Sequence, residues 1–263
     1  MRSNISVFHN SPKNSSPELY QIYYLFAFST VGRALIPFCR KLGLNCTEPK
    51  NHPTPGTVST LIFFENVYLE LFWFEETSHL AQSDINTEFN FLPRVNWLET
   101  GASPFGFGLS YATDNDNLVA ATVEAIGTNE TSISEQLLRF CPINLANPEE
   151  PICYFVSDYE AKRNRLNRVW ATAEQIMNQT LGMRKLTHVK LRVISDQLSL
   201  ALRAPRSGSL RDRALTTPLV SLCAQNILDI EPRKHPLLEL TFDDHNQKRF
   251  LDLRPLIPIV LRY

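Results

Sequence analysis

The clearest patterning in this chain is a set of short apolar runs rich in aromatic and β-branched residues, as buried β-strands require. Two β-rich runs, TLIFF and VYLELFWF, are separated only by Glu65 and Asn66, a connection short enough for a hairpin. Pro53, Pro55 and Gly56 form a turn just before them, where fixed and free φ sit together. Along the second run Val67, Leu69, Leu71 and Trp73 point one way, and Tyr68, Glu70, Phe72 and Phe74 the other. Glu70 is thus a carboxylate set among aromatic side chains. Such a group is costly to bury unless it is paired, protonated or bound to a metal.

The same reading extends along the chain. YQIYYLFAF (20–28) predicts a strand with Tyr20, Ile22, Tyr24, Phe26 and Phe28 on one face. Ser29 or Thr30 then caps a helix through Leu42, stopped by Gly43, with Pro37 predicting a kink or a shortened helix. Residues 77–104 have no clear period and form an excursion that serves either as a binding loop or as packing. FGFGLSY (105–111) is a short strand whose glycines admit a close neighbour or mark a bulge. A helix LVAATVEAI and strands LLRF and ICYFV follow, so the order β-α-β-β occurs twice and predicts two tandem modules. Beyond them lie a helix at 158–178, a strand LTHVKLRVI (186–194), and a polar basic loop at 204–216. A helix at 217–229 and the strands LLELTF, RFLDLR and IPIVLRY complete the chain. Leu238-Glu239-Leu240 echoes Leu69-Glu70-Leu71, as though LTHVKL and LLELTF were the first and third strands of a degenerate module; chance similarity between short strands is the alternative.

The run GT-V-STLIFFENVYLEL, followed by SPFGFGLSY, resembles a glyoxalase-like domain of the vicinal oxygen chelate superfamily. The resemblance is clearest from Tyr20 to about Ser110. It implies an α+β fold in which repeated βαβββ modules curl a mixed sheet around a cleft. With the polar tail and the internal echo, the expected division is a disordered or loosely attached tail (1–18), a two-module domain (19–156) and a C-terminal extension (157–263), either a degenerate further module packed on the same sheet or an unrelated addition. Enzymes of the family hold a divalent metal through His, Gln and Glu side chains. By that alignment the first-strand ligand places fall on Tyr24 and Gly106, the last near Tyr154 to Val156, and only Glu70 keeps a ligand. The expectation is therefore no cofactor, with a divalent metal at Glu70 as the alternative.

Glu70 is the candidate base and Tyr24 its hydrogen-bond donor, with Tyr68, Phe72 and Phe107 as substrate-lining residues. His188 with Glu239 is a second metal candidate; against it, His188 alternates with Lys190 and Arg192, which reads as a solvated face. No GxSxG, P-loop or GxGxxG run is present. Two functions remain open: an enzyme of the glyoxalase/dioxygenase type acting on a small oxygenated or carbonyl-bearing molecule, and a non-catalytic binding or sequestering protein that has lost the metal. A protein whose aromatic face is merely core is the blander alternative.

Composition narrows this further. Twenty-six basic and 27 acidic residues leave a net charge of −1, giving no nucleic-acid surface and no polybasic membrane anchor. No apolar run is long enough to span a bilayer. Five scattered cysteines without a CxxC pair read as reduced, mostly buried thiols, and the tail has no apolar core of a secretion signal, so a cytoplasmic protein is expected. The expected partner is a small-molecule ligand. A homodimer is left open, because paired modules can meet within one chain or between chains.

Overall fold

The computed structural model describes residues 20–51, 56–75, 91–111, 138–140, 147–156, 179–198, 218–254 and 256–263. The N-terminal tail, the Pro53–Pro55 turn, the expected helices at 118–126 and 158–178 and the basic loop lie outside them. Among the described residues the fold is α+β: two mixed sheets with few helices.

The first sheet contains β1 (Tyr20–Phe28), β2 (Lys50–Asn51), β3 (Thr57–Phe63), β4 (Tyr68–Phe74), β5 (Phe105–Tyr111), β6 (Leu138–Phe140) and β7 (Ile152–Val156) in the order β2-β3-β4-β1-β5-β7-β6. The second contains β8 (Leu186–Val193), β9 (Leu228–Pro232), β10 (Leu237–Phe242), β11 (Phe250–Asp252) and β12 (Ile259–Arg262) in the order β11-β12-β10-β8-β9. Each sheet is centred on an antiparallel pair, β1·β5 or β8·β10. Each member of those pairs takes a parallel strand on its other side: β4, β7, β9 and β12 respectively.

The expected hairpin is β3–β4, with Leu61 opposite Glu70. Its turn docks on the second sheet. Asn66 Nδ2 donates to the Leu186 carbonyl at 2.9 Å while Leu186 N donates to Asn66 Oδ1 at 2.8 Å, and Glu65 N donates to the Arg184 carbonyl. Phe64 lies against Phe242 with ring centroids 4.3 Å apart. One apolar cluster accordingly runs through both sheets, from Leu25, Leu69, Leu71 and Phe107 to Val189, Leu191, Leu240 and Leu261.

The helix after β1 is shorter than the sequence predicts. A 3-10 turn at Gly32–Ala34 leads into α1 (Leu35–Lys41), and Gly43 ends it at φ 85°. Ser29 does not cap α1. Its Oγ accepts the Val31 N–H, a local turn that competes with helix. Pro37 stands near the start of α1, where its missing N–H costs little. In the excursion, α2 (Phe91–Val95) and α3 (Trp97–Thr100) are two short helices.

The helix expected at 217–229 spans 218–224, here α4. Asn226 turns left-handed at φ 58° and the Ile227 N–H returns to the Leu222 carbonyl, a helix stop that frees 228–232 to become β9. The echo between LTHVKL and LLELTF has a different geometry from its model. β8 and β10 are antiparallel neighbours, whereas β1 and β4 are parallel.

Candidate functional site: a carboxylate among rings

β1 and β4 run side by side in register, with Tyr24 opposite Tyr68, Phe26 opposite Glu70 and Phe28 opposite Phe72. Even-numbered residues of β4 share one face, as the alternation predicts, and pack with Tyr24, Phe26 and Phe28 in a second apolar cluster. Tyr20 and Ile22 do not join them. The register shifts between Ile22 and Tyr24, a β-bulge at Tyr23 that splits the expected single face of β1. Ile22 and Tyr20 therefore go to the core shared with the second sheet, while Tyr23 and Tyr24 both go to the aromatic face.

Glu70 sits within this face and is 7% exposed. Tyr24 Oη donates to Glu70 Oε2 at 2.6 Å, a charge-assisted length. Burial, and after it the charge of Glu70 and the neighbouring Tyr154 and Tyr68, hold the Tyr24 phenol well above its ordinary value, so it stays protonated and donates. The ring of Tyr24 lies 4.7 Å from Tyr68 and 5.4 Å from Phe26, and Phe26 meets Phe72 edge-on at 5.8 Å. Phe91 of α2 reaches the far end of the face, 5.4 Å from Phe28.

The glycines of β5 have a definite use. A Cβ at Gly106 would meet the Phe26 ring at 2.0 Å, and one at Gly108 would meet Tyr154 at 2.8 Å. The rings of Phe26 and Tyr154 thus lie directly on bare backbone. Tyr23 and Tyr154 bring their hydroxyls to 3.5 Å. Phe26, Tyr23 and Tyr154 were not among the sequence candidates. The hint for Phe26 and Tyr154 was Gly-x-Gly inside a strand, which implies that something large crosses it.

Of the candidates, Tyr24, Glu70, Tyr68 and Phe72 come together. Phe107 does not. It is buried on the opposite face of the sheet, in the core shared with β8 and β10. His188 and Glu239 do lie on neighbouring strands, with His188 opposite Thr241 and Glu239 opposite Lys190. Arginines hold both Glu239 oxygens: Arg192 Nη2 is 2.7 Å from Oε1 and Arg262 Nη2 2.6 Å from Oε2. Burial pushes the His188 imidazole below its ordinary value. The arrangement is an ionic ladder across the outer face of the second sheet, continued by Lys190 with Asp229 and Glu231.

Among the described residues no group of three or more His, Cys, Asp or Glu side chains is placed to hold a metal ion. The donor set at the first-strand places does not fit one either. The phenol of Tyr24 is spent on Glu70, and the Phe26 ring fills the space over Gly106. No described helix is long and apolar enough to cross a membrane.

No family model and no curated protein matches the chain. Among solved structures it is similar to a crystal structure of a hypothetical protein from Staphylococcus aureus. The identity is 11% and the TM-score 0.48, covering 92% of this chain and 99% of that one.

Proposed function

We propose that the chain is a glyoxalase-like protein of the vicinal oxygen chelate type that binds a small oxygenated or carbonyl-bearing molecule on the aromatic face of its first sheet. No metal takes part in this binding. The observation that carries the reading is the Tyr24–Glu70 hydrogen bond at 2.6 Å among packed rings. It fixes a carboxylate, held by one phenol donor, in an apolar wall, and small-molecule sites likewise set a few oriented polar groups among apolar side chains. The strand order supports the fold assignment: β2-β3-β4-β1 sets the first and last strands of one βαβββ unit side by side. β5-β7-β6 does the same across the antiparallel β1·β5 seam. Hydroxy- and carbonyl-bearing small molecules titrated calorimetrically into the protein are expected to bind. Glu70→Gln and Tyr24→Phe are expected to weaken that binding about tenfold or more while the thermal midpoint stays above working temperature. Unchanged affinity in both variants would sink the reading, and stoichiometric divalent metal lost on Glu70→Ala would sink its metal-free part.

A second reading adds chemistry to the same pair. Glu70 is the base; once it has taken the substrate's proton, the Tyr24 O–H, held protonated by its surroundings, turns from the carboxyl to the developing oxyanion as a hydrogen-bond donor. Conversion of any bound compound, followed by proton NMR and abolished by Glu70→Gln, would establish it; binding with no conversion would leave the protein a binder.

A further inference from the structure

We propose that α2 and α3 form a hatch that swings as one piece about Gly101 to uncover the aromatic face, with the Arg94 guanidinium as its latch; this rests on the binding reading above and gives the ligand its way in. Tyr24, Phe26, Tyr68, Glu70 and Phe72 are each at most 7% exposed. Their rings meet at centroid distances of 4.7 to 5.8 Å, so a molecule reaches them only when a covering element moves. α2 is such an element. Phe91 lies 5.4 Å from Phe28, and Val95 belongs to the same apolar cluster. The partly exposed members of that cluster are Leu61, Phe74 and Phe91. Phe74 stands two residues past the partner of Phe28 on β4, so it marks the end of the sheet that Phe91 covers. Solvent thus meets the rings at the margin of α2.

The two helices hold together by themselves. The Thr100 hydroxyl reaches the Pro93 and Asn96 carbonyls, the Asn96 N–H donates to the Leu92 carbonyl, and the Gly101 N–H donates to the Trp97 carbonyl. On the hinge side the Ala102 N–H donates to Thr100 Oγ1. The other hydrogen bonds that tie the pair to the rest of the described residues come from Arg94. Its Nη1 donates to the carbonyls of Ser103 at 3.1 Å and Glu150 at 2.6 Å, and its Nη2 to that of Asn147 at 3.4 Å. One rigid fork does the fastening, and its release frees both helices. Gly101 has φ 71°, and a Cβ there would meet nothing within 4 Å. This glycine therefore serves conformation rather than space, as a pivot does. Ala102 and Ser103, each 1% exposed, stay anchored in the body beyond it.

The test uses the full chain carrying Val95→Cys, which puts a thiol under the hatch at little change in volume, and iodoacetamide under native conditions. Cys39 and Cys153, both 0% exposed, are the reference for opening of the whole fold. Peptide mapping is expected to show the thiol at position 95 alkylated at least about tenfold faster than either. Arg94→Lys keeps the charge but not the fork, and should speed that reaction several-fold further while Cys39 and Cys153 react as slowly as before. Phe91→Leu thins the apolar seat, has the same expected result, and carries the comparison if Arg94→Lys fails to fold. Alkylation at position 95 no faster than at Cys39 and Cys153 overturns the hatch, because α2 then leaves only when the whole fold opens. An equal rise at all three thiols in Arg94→Lys overturns the latch. No ligand enters this measurement, so its failure is distinct from a failure of the titration that tests binding.

Discussion

At the scale of single residues, the site is shaped by side chains that are missing as much as by those present. Gly106 and Gly108 are needed because Phe26 and Tyr154 occupy the volume a Cβ would take. Gly106→Ala is therefore expected to destabilise the fold by about 1–3 kcal/mol in urea denaturation. Combining it with Phe26→Leu should recover part of that loss, a coupling that a double-mutant cycle measures. Additive losses would mean the two residues do not compete for one space. A different strain sits after β10, where Asp243, Asp244, His245 and Lys248 all have φ between 49° and 58°. Asp243 offsets its own cost, its carboxylate accepting the N–H groups of Arg184 and Lys185. Lys248 is exposed and its left-handed φ of 55° carries the Cβ cost that glycine lacks, so Lys248→Gly should raise stability by about 0.5–1 kcal/mol.

At the scale of elements, strands were legible and their ends were not. Runs rich in aromatic and β-branched residues place β1, β3, β4 and β10, which are buried on both faces, while β8 shows the alternation of a strand with one solvated face. Such patterns could not see the bulge at Tyr23, since an extra residue leaves no mark in an unbroken aromatic run. Phe107, expected to line the substrate with Tyr68 and Phe72, lies on the other face, because a strand's phase relative to its neighbours is set by pairing, not by its own pattern. β9 was absorbed into a helix because Asn226, rather than a glycine, makes the stop. The excursion hid its anchor. Arg94 of α2 is 1% exposed and donates to the carbonyls of Ser103 at 3.1 Å, Glu150 at 2.6 Å and Asn147 at 3.4 Å. A buried cation spent on backbone carbonyls has no sequence pattern at all. It fixes the helix whose Phe91 closes the end of the aromatic face. Arg94→Met is expected to cost about 3 kcal/mol or more, since several buried acceptors lose their donor, and to open 91–104 to limited proteolysis. Unaltered cleavage there would show that the excursion is held by packing alone.

At the scale of the whole molecule, a few polar links tie distant segments together. Asn66 joins the β3–β4 turn to β8, and Asn66→Ala should cost about 1–3 kcal/mol by stranding the Leu186 amide and carbonyl. Glu150 is the more informative link. It is fully buried, its Oε1 accepts the Leu198 N–H at 3.0 Å, and its backbone carbonyl receives Arg94, so it connects the excursion, the turn before β7 and the segment after β8. Burial raises its carboxyl above the ordinary value, more than the hydrogen bonds from Ser195, Leu198 and Gln197 lower it. Arg94 is held down to about 10, also by burial, and so remains charged at neutral pH. A raised folded-state value means the folded chain binds the Glu150 proton more tightly than the unfolded chain does. The stability it contributes is thus fully present below the unfolded carboxyl value, about 4.3, and is lost as pH rises through the folded value. Glu150→Gln keeps an oxygen for the Leu198 N–H and removes the titration. Thermal midpoints measured between about pH 4 and pH 8 should fall less steeply toward neutral pH in that variant than in the parent protein. Parallel curves would mean that Glu150 keeps an ordinary carboxyl and that Arg94, rather than the proton, compensates its burial.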